Sequence, residues 1–355
     1  MNTFGKKLTL TSFGESHGAA IGGVIDGLPA GLKIDADFIQ SELDKRRPGQ
    51  SSFTTARDEA DKIEIFSGVF DGISTGAPIG FAIFNSNQKS NDYENLREIF
   101  RPGHADLTYF KKYGIRDHRG GGRASARETA VRVAGGAFAQ LLLNEFKIEV
   151  LSGVLGIGKA ISDKIDFDFA QNSQIYALGN EEAMKEAVNK ARSEHDSVGA
   201  VVLSVARGVP AGLGEPLYDR LDSTLAAALM GINGVKAVEI GAGVNVSSML
   251  GSANNDEMDE LGFLSNNAGG ILGGISSGAE IVLKSHFKPT PSIFKEQKTL
   301  NLAGEAVDFE LRGRHDPCIG IRGSVVATAM IRLVLADMLL LNASTKLENL
   351  KKIYG

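Results

Sequence analysis

The sequence predicts a mixed α+β fold in one domain that spans residues 1–355. Strand-like and helix-like segments are both present, but they do not alternate regularly along the chain. A doubly wound parallel sheet requires that alternation, so the pattern does not support one. No proline- or serine-rich linker divides the chain, which favours a single compact unit.

Capping residues and apolar periodicity predict several helices. The first follows Asp35, continues to about Arg46 and ends before Pro48. The last, Ser324–Leu341, is apolar enough to occupy the centre of the fold. The others are Ser125 to about Phe146, Asn180 to about His195, and Asp222–Met230.

Short runs of β-branched, aromatic and aliphatic residues predict the strands. These runs are Leu8–Phe13, Ile21–Ile25, Lys62–Phe66, Gly80–Phe84, Val198–Val205, Ala237–Gly243, Ala279–Phe287 and Val307–Leu311. Glycines repeat at one constant spacing, as Gly18, Gly22, Gly23 and Gly27 and again as Gly269, Gly273, Gly274 and Gly278. The repeat is either a coincidence in a chain with 43 glycines or a duplication that predicts halves related by a pseudo-twofold axis.

Composition limits the class of protein. A pI near 5.8 disfavours a nucleic-acid binder, which is usually basic. The single Cys318 excludes an internal disulfide and a cysteine-based zinc cluster, and it suits a reducing compartment. The N-terminus lacks the apolar stretch of a secretory signal, and Ala329–Leu341 is too short to cross a bilayer. We therefore expect a cytoplasmic location without membrane contact.

The most informative segment, residues 101–130, is basic in a chain of formal net charge −5. Its cations are Arg101, Lys111, Lys112, Arg116, Arg119, Arg123 and Arg127, beside His104, His118 and Gly120–Gly122. Arginine forks next to a glycine-rich loop are suited to binding phosphate and carboxylate groups. Ser125 and Glu128 also fit a capping box at a helix start, and both interpretations hold together.

Other candidate residues lie outside this segment. His17 follows a predicted strand, where its imidazole either enters a cleft or serves a turn. Arg46 and Arg47 lie at the end of a predicted helix. Either they are there only because the helix dipole favours cations at this end, or they converge with the basic segment on one site. Asp316 follows Arg314 and His315 and belongs either to a shared site or to a structural turn.

Nucleotide and metal motifs are absent from the sequence pattern. Gly153–Ala160 approaches a phosphate-binding loop, but Ala160 has no hydroxyl to hold magnesium. No glycine fingerprint for a dinucleotide follows a strand, and the histidines and carboxylates show no metal-ligand spacing. We expect no metal site.

Several longer motifs together resemble the chorismate synthase family, in the same order and over nearly the whole chain. They are GESHG at 14–18, DKRRPG at 44–49, RPGHAD at 101–106, YGIRDHRGGGRASARET at 113–129, SNNAGGILGGISSG at 265–278, KPTPS at 288–292 and GRHDPC at 313–318. The resemblance implies a β-α-β sandwich, with helices between two antiparallel sheets, and a homotetramer.

The resemblance also implies a reaction. It is the anti-1,4-elimination of phosphate from 5-enolpyruvylshikimate 3-phosphate to give chorismate, the last common step of the shikimate pathway. Such a lyase requires reduced FMN without net redox change. No nicotinamide site is evident, so we expect an external source of reduced flavin rather than a bifunctional enzyme that uses NADPH. The rival hypotheses are a flavin- or phosphate-binding module without catalysis and an RNA-binding protein.

Site roles follow from the same resemblance. His17 is implied to protonate the departing phosphate, His104 to stabilise the reduced flavin, and Asp316 to assist proton removal. Substrate contacts are implied for Ser16, Arg47 and Arg127, and flavin contacts for Arg123, Ala124, Ser125, Asn233, Gly234, Gly273, Lys288, Pro289, Thr290, Pro291, Ser292 and Arg314. Arg46 falls on a position that contacts NADP or substrate anions, although Ser52 stands where related chains often have a basic residue.

Overall fold

A computed structural model describes residues 1–49, 53–54, 60–85, 96–310 and 316–355. Helices and antiparallel sheets both occur in it, which confirms the α+β class. The predicted role of Arg314 lies outside the described residues.

The first large sheet comes from the N-terminal part of the chain. Its strands are β1 (Thr3–Phe4), β2 (Thr9–Gly14), β3 (Ala20–Asp26), β4 (Ile63–Ile65) and β7 (Ile79–Phe84). They lie in the order β1-β2-β3-β7-β4, and every neighbouring pair is antiparallel. A small hairpin, β5 (Val69–Phe70) and β6 (Ile73–Ser74), stands between β4 and β7 in sequence.

The second large sheet has the order β11-β16-β10-β8-β9 and is also antiparallel. Its strands are β8 (Glu149–Ile157), β9 (Ala160–Ile161), β10 (Ala200–Arg207), β11 (Val235–Ile240) and β16 (Ile281–Phe287). The hairpins are β12 (Met258–Asp259) with β13 (Gly262–Phe263), β14 (Ile271–Leu272) with β15 (Ile275–Ser276), and β17 (Gln297–Leu300) with β18 (Ala306–Phe309). The segment that approached a phosphate-binding loop is the β8–β9 hairpin, so it has no helix to complete such a loop.

The predicted helices are all found within a few residues of their expected ends. The helices are α1 (Ala36–Arg46), α2 (Asp106–Tyr113), α3 (Thr129–Asn144), α4 (Phe167–Asn172), α5 (Glu181–Ser193), α6 (Leu221–Met230), α7 (Gly251–Asn254), α8 (Gly320–Asn342) and α9 (Leu347–Tyr354). The Asp35 carboxylate caps α1 by accepting from the Phe38 N–H at 2.9 Å. The long helix begins at Thr129 rather than Ser125, because residues 126–128 form a 3₁₀ turn.

The hydrophobic core lies around α3 and α8, which pack against each other. A Cβ atom on Gly136 would lie 2.5 Å from Ala329, so these helices meet at a position where only glycine fits. Helix α3 also contacts β2 and β3, while α8 contacts β8, β10 and β16. The two central helices therefore connect the two large sheets.

Helix α8 is longer than the sequence predicted. Its 23 residues are long and apolar enough to cross a membrane by length and composition, but 78% of the most apolar window is buried inside the protein. The helix also carries charges that are used within the fold. Arg332 pairs with Glu42 of α1, and Asp337 accepts hydrogen bonds from the N–H groups of Lys6, Lys7 and Leu8 at 2.7–2.9 Å. These contacts are typical of a core helix.

The two parts of the chain repeat one topology. The first runs β2-β3-α1-β4-β7-α3, and the second runs β8-β10-α6-β11-β16-α8 with the same spatial order of its four strands. The glycine repeat does not mark this correspondence. Gly22 and Gly23 lie in β3, whereas Gly273 and Gly274 form the β14–β15 turn at positive φ. The glycine match is therefore a coincidence, and the repeat appears only in the strand order.

Candidate active site

One cavity of about 630 Å³ collects most of the predicted site residues. Its first wall consists of residues 101–129 together with the end of α1, and its second wall consists of residues 232–236, 287–292 and 316–326. The cations that line it are Arg46, Arg101, Arg116, Arg123, Lys236, Lys288 and Arg322, and the acidic residues are Glu15, Asp106, Asp117 and Asp316. The lining therefore carries more positive than negative groups, as a polyanion site requires.

The structure divides the predicted site residues into two groups. Those that line the cavity are Arg46, His104, Arg123, Ala124, Ser125, Asn233, Gly234, Lys288, Thr290, Pro291, Ser292 and Asp316. Those that do not line it are Ser16, His17, Arg47, Arg127, Gly273 and Pro289. Gly273 lies in the β14–β15 turn, which is not part of either wall.

His17 is buried directly behind the glycine-rich loop. Ser16 Oγ lies 3.1 Å from His17 Nδ1, and a Cβ atom on Gly120 would overlap the imidazole ring. Gly120 lines the cavity and has a φ of 62°. The imidazole is thus separated from the cavity by one layer of backbone that only glycine can form without a clash.

His104 joins the two walls. Its Nδ1 lies 2.9 Å from the Pro102 carbonyl oxygen, and its Nε2 lies 2.9 Å from Ser292 Oγ. A carbonyl oxygen only accepts, so Nδ1 carries a proton and donates it to Pro102. In the neutral ring, Nε2 then accepts from the Ser292 hydroxyl and is the nitrogen available for proton transfer.

Arg46 lines the cavity but directs several donors into the protein. It donates to Thr129 Oγ1 at 3.2 Å, to the Ala126 carbonyl at 2.8 Å and to the Asp61 carboxylate at 3.2 Å. Burial, together with the nearby charge of Arg322, lowers the pKa of Arg46 to about 10. Positive charge is therefore concentrated at this end of the cavity.

Arg127 does not line the cavity, and its partners among the described residues include Asp61 and Asn85. Its guanidinium contacts the buried Asp61 carboxylate and donates to Asn85 Oδ1 at 3.1 Å. Asp61 therefore lies between two arginines, Arg46 and Arg127. The contact between Arg127 and substrate that the resemblance implies stays a prediction.

Arg101 and Arg116 form a buried ion-pair cluster with Asp106. Arg101 donates to both oxygens of Asp106 at 2.8 Å, and Arg116 Nη1 lies 3.3 Å from one of them. Burial alone would raise the pKa of Asp106, but the hydrogen bonds and charge of Arg101 outweigh it, so the pKa lies below its usual value. Asp106 stays ionised and fixes the direction of both arginines.

The second wall contains polar atoms that have no partner among the described residues. Asn233 donates to the Ala124 carbonyl at 3.1 Å, but its buried Oδ1 accepts no hydrogen bond from the part of the chain that the structure describes. The buried Thr290 Oγ1 is likewise unpaired within the described residues. Ile232, Phe287 and Ile319 supply apolar surface beside them. Unpaired buried polar atoms next to apolar surface fit a flat heteroaromatic ligand with polar edges, such as a flavin ring.

Sequence reasoning missed two cations of the lining, Lys236 and Arg322. Arg322 lies in the first turn of α8 and pairs with Asp316, a contact that spacing alone does not reveal. Lys236 lies near Lys288, whose pKa is lowered by burial and by the charge of Lys236. Lys288 donates to the Gly103 carbonyl at 2.8 Å, which is a further link between the walls.

An α+β fold around a cation-rich cavity that also holds a histidine and a carboxylate defines an enzyme for a multiply anionic small molecule. The family model described as chorismate synthase matches residues 8–340. The chain belongs to the chorismate synthase family, whose enzymes are lyases.

Relatives of the same family match this chain over nearly its full length. The chain is 98% identical to a chorismate synthase of Campylobacter concisus (strain 13826), with 100% of both chains covered. It is 65% identical to that of Campylobacter fetus subsp. fetus (strain 82-40), again with 100% of both covered. A solved structure titled "Crystal Structure of Chorismate Synthase" matches with a TM-score of 0.77 and 30% identity, over 98% of this chain and 96% of that one.

Proposed function

We propose that this chain eliminates phosphate from 5-enolpyruvylshikimate 3-phosphate to form chorismate, with reduced FMN bound in the same cavity. The observation that carries the proposal is the meeting of cations, His104 and Asp316 in one cavity. The proposal includes a β-α-β sandwich with pseudo-twofold halves over residues 1–355, a homotetramer and a cytoplasmic location.

The cations account for substrate binding. The substrate has two carboxylates and a phosphate, and removing such a trianion from water without partners would be very costly. Arginine contacts offset that cost because charge-assisted hydrogen bonds are strong in a partly dehydrated site. Arg101 and Arg116, held by Asp106, and Arg123 supply them from the first wall.

The second wall is proposed to hold the flavin. Asn233 Oδ1 and Thr290 Oγ1 are the buried atoms that it would satisfy, with Ser125, Lys288 and Ser292 nearby in the lining. When bound, reduced FMN supplies electron density that eases departure of an allylic phosphate and loss of a weakly acidic ring hydrogen. The Nε2 atom of His104 faces this wall, where a proton on the imidazole stabilises negative charge.

Besides His104, proton transfer is assigned to two side chains. His17, with Ser16 at its Nδ1, donates a proton to the departing phosphate, and Asp316 assists removal of the ring hydrogen. Because Gly120 lies between His17 and the cavity, contact with substrate requires the loop at residues 120–122 to shift. The Arg322 guanidinium holds the Asp316 carboxylate in place meanwhile.

The test is phosphate release by the purified protein under anaerobic conditions. We expect chorismate and phosphate with dithionite-reduced FMN, and neither with NADPH plus oxidised FMN. His17→Ala and His104→Ala should each lower turnover by about 10²–10⁴-fold, the usual contribution of an acid–base group, while circular dichroism shows a folded protein.

Two results would contradict the proposal. Binding of FMN and substrate without phosphate release would indicate a binding module instead of an enzyme. Wild-type turnover in both histidine variants would remove the assigned proton-transfer roles.

A further inference from the structure

A second, smaller cavity of about 180 Å³ lies beside the first and shares Arg322 with it. Lys45, Arg47 and Arg322 are its cations, and the neutral lining residues are Thr54, Gln171, Ser173, Gln174, Tyr176 and Ile321. No Asp or Glu is among the described residues that line it. A cavity with this lining attracts an anion.

One of these cations lacks a counter-charge among the described residues. Lys45 pairs with Glu42, which Arg332 also contacts, and Arg322 pairs with Asp316. The half-buried Arg47 side chain has no hydrogen bond or ion pair among the described residues. Since a partly dehydrated guanidinium gains most from an ionised acceptor, Arg47 is poised to bind an anion from solution.

Neutral groups of the cavity can add hydrogen bonds. Ser173 Oγ accepts from the N–H groups of Ile175 at 3.2 Å and Ala177 at 2.9 Å, so the hydroxyl proton remains to be donated. The Tyr176 hydroxyl donates to the Lys45 carbonyl at 2.7 Å and thereby holds the last turn of α1, from which Arg47 extends. Hydrogen bonds therefore hold both the backbone after Ser173 and the end of α1 in place around the cavity.

We propose that this second cavity binds a small oxyanion of the inorganic phosphate class, with Arg47 as its principal ligand and Arg322 and Lys45 as supporting cations. Its volume is below the 300 Å³ or so at which pockets for drug-sized ligands begin, so it suits a small ion better than a dinucleotide. Arg47 accordingly serves this site and not the substrate of the larger cavity. Because Arg322 contacts Asp316 in the larger cavity, an anion beside Arg322 weakens its hold on that carboxylate.

The binding test uses inorganic phosphate and the full-length protein without flavin, by isothermal titration at low ionic strength. We expect two classes of phosphate site in the wild type, one in each cavity. Arg47→Gln should weaken one class by about tenfold or more, the usual worth of a charge-assisted hydrogen bond, and Arg47→Lys should weaken it less. Lys159→Gln is the matched control, because Lys159 is exposed in the β8–β9 turn and has no described partner.

Equal phosphate binding by Arg47→Gln, Lys159→Gln and the wild type would overturn the proposal. The titration needs neither substrate nor flavin, so its outcome is independent of the proposed reaction. A second measurement rests on that reaction. Phosphate should lower kcat in the wild type and only raise KM in Arg47→Gln, whereas an equal fall in kcat in both proteins would overturn the coupling through Arg322.

Discussion

The two walls of the large cavity differ in the types of residue that form them. The first wall, residues 101–129 together with the end of α1, presents arginines whose directions are set by buried carboxylates such as Asp106 and Asp61. The second wall, residues 232–236, 287–292 and 316–326, presents apolar side chains and the atoms of Asn233 and Thr290 that are unpaired within the described part of the chain. The first is suited to an anionic substrate and the second to a flat cofactor.

This difference arises although the two parts of the chain share one topology. The four main strands and the flanking helices repeat in the same order, so the framework alone does not distinguish the walls. The distinction comes from the connections, since the segment between β7 and α3 has no counterpart of similar charge between β16 and α8 among the described residues. Function here depends on loops attached to a repeated framework.

The largest effect is expected from a substitution that disrupts the first wall. Asp106→Ala leaves Arg101 and Arg116 buried without their shared carboxylate, and removing one partner of a buried ion pair typically costs about 3–5 kcal/mol. Urea denaturation should show that loss in the free energy of unfolding, and phosphate release should fall with it.

Asp117→Ala is the control, because Asp117 pairs with the more exposed Arg119 and should cost no more than about 1 kcal/mol. Similar losses in both variants would mean that burial of the Asp106 cluster does not distinguish it from a surface pair.

The second prediction concerns the glycine loop. Gly120→Ala adds a Cβ atom that overlaps the His17 ring, whereas Gly114→Ala adds one with nothing within 4 Å. Both glycines have positive φ, so both variants lose about 1–2 kcal/mol of stability from backbone strain. Only Gly120→Ala should lower turnover, by about 10–100-fold, because it displaces a proton-transfer group. Equal turnover of the two variants would show that the His17 contact is not needed.

Local patterns in the sequence predicted α1, α3, α5, α6 and α8 well, but they did not predict α2. Asp35 at the start of α1 and the apolar length of α8 carried enough information by themselves. Strand β8 was missed because its glycines suggested a loop. This strand is stabilised by pairing with β10, which is distant in sequence and lies outside a short window.

The sequence predicted which residues form the site better than it predicted the contacts between them. The motifs identified most of the lining, including His104 and Asp316. The pairing of Arg127 with the buried Asp61 was not predicted, because the two residues are distant in sequence. Arg322 was overlooked because a cation in an apolar helix gives no local signal of the carboxylate it will meet.

The third prediction sharpens the role of the second wall. Thr290→Val keeps the shape of the side chain and removes a hydroxyl that has no partner among the described residues. It should therefore weaken FMN binding by about tenfold without changing the affinity for phosphate. Thr328→Val is the control, since Thr328 is buried in α8 away from the cavity and its hydroxyl donates to Ser324. Flavin affinity measured by fluorescence titration should be unchanged in the control; the same loss in both would argue against a flavin contact at Thr290.

The smallest expected effect lies at the edge of the second wall, where Lys295 pairs with Asp196 at 2.6 Å on the surface. The hydrogen bond from Lys295, helped by the Ser197 N–H, lowers the pKa of Asp196 below its usual 3.8. Because its pKa is lowered by folding, the Asp196 carboxylate adds to the free energy of unfolding. This contribution is fully present above about pH 3.8 and is lost as the pH falls through the pKa of the folded state. Lys295→Gln should therefore cost less than about 1 kcal/mol near neutral pH, and less still in high salt. The gap between variant and wild type in urea denaturation should close below pH 3.8. A gap that widens on acidification would mean that another group anchors this edge of the wall.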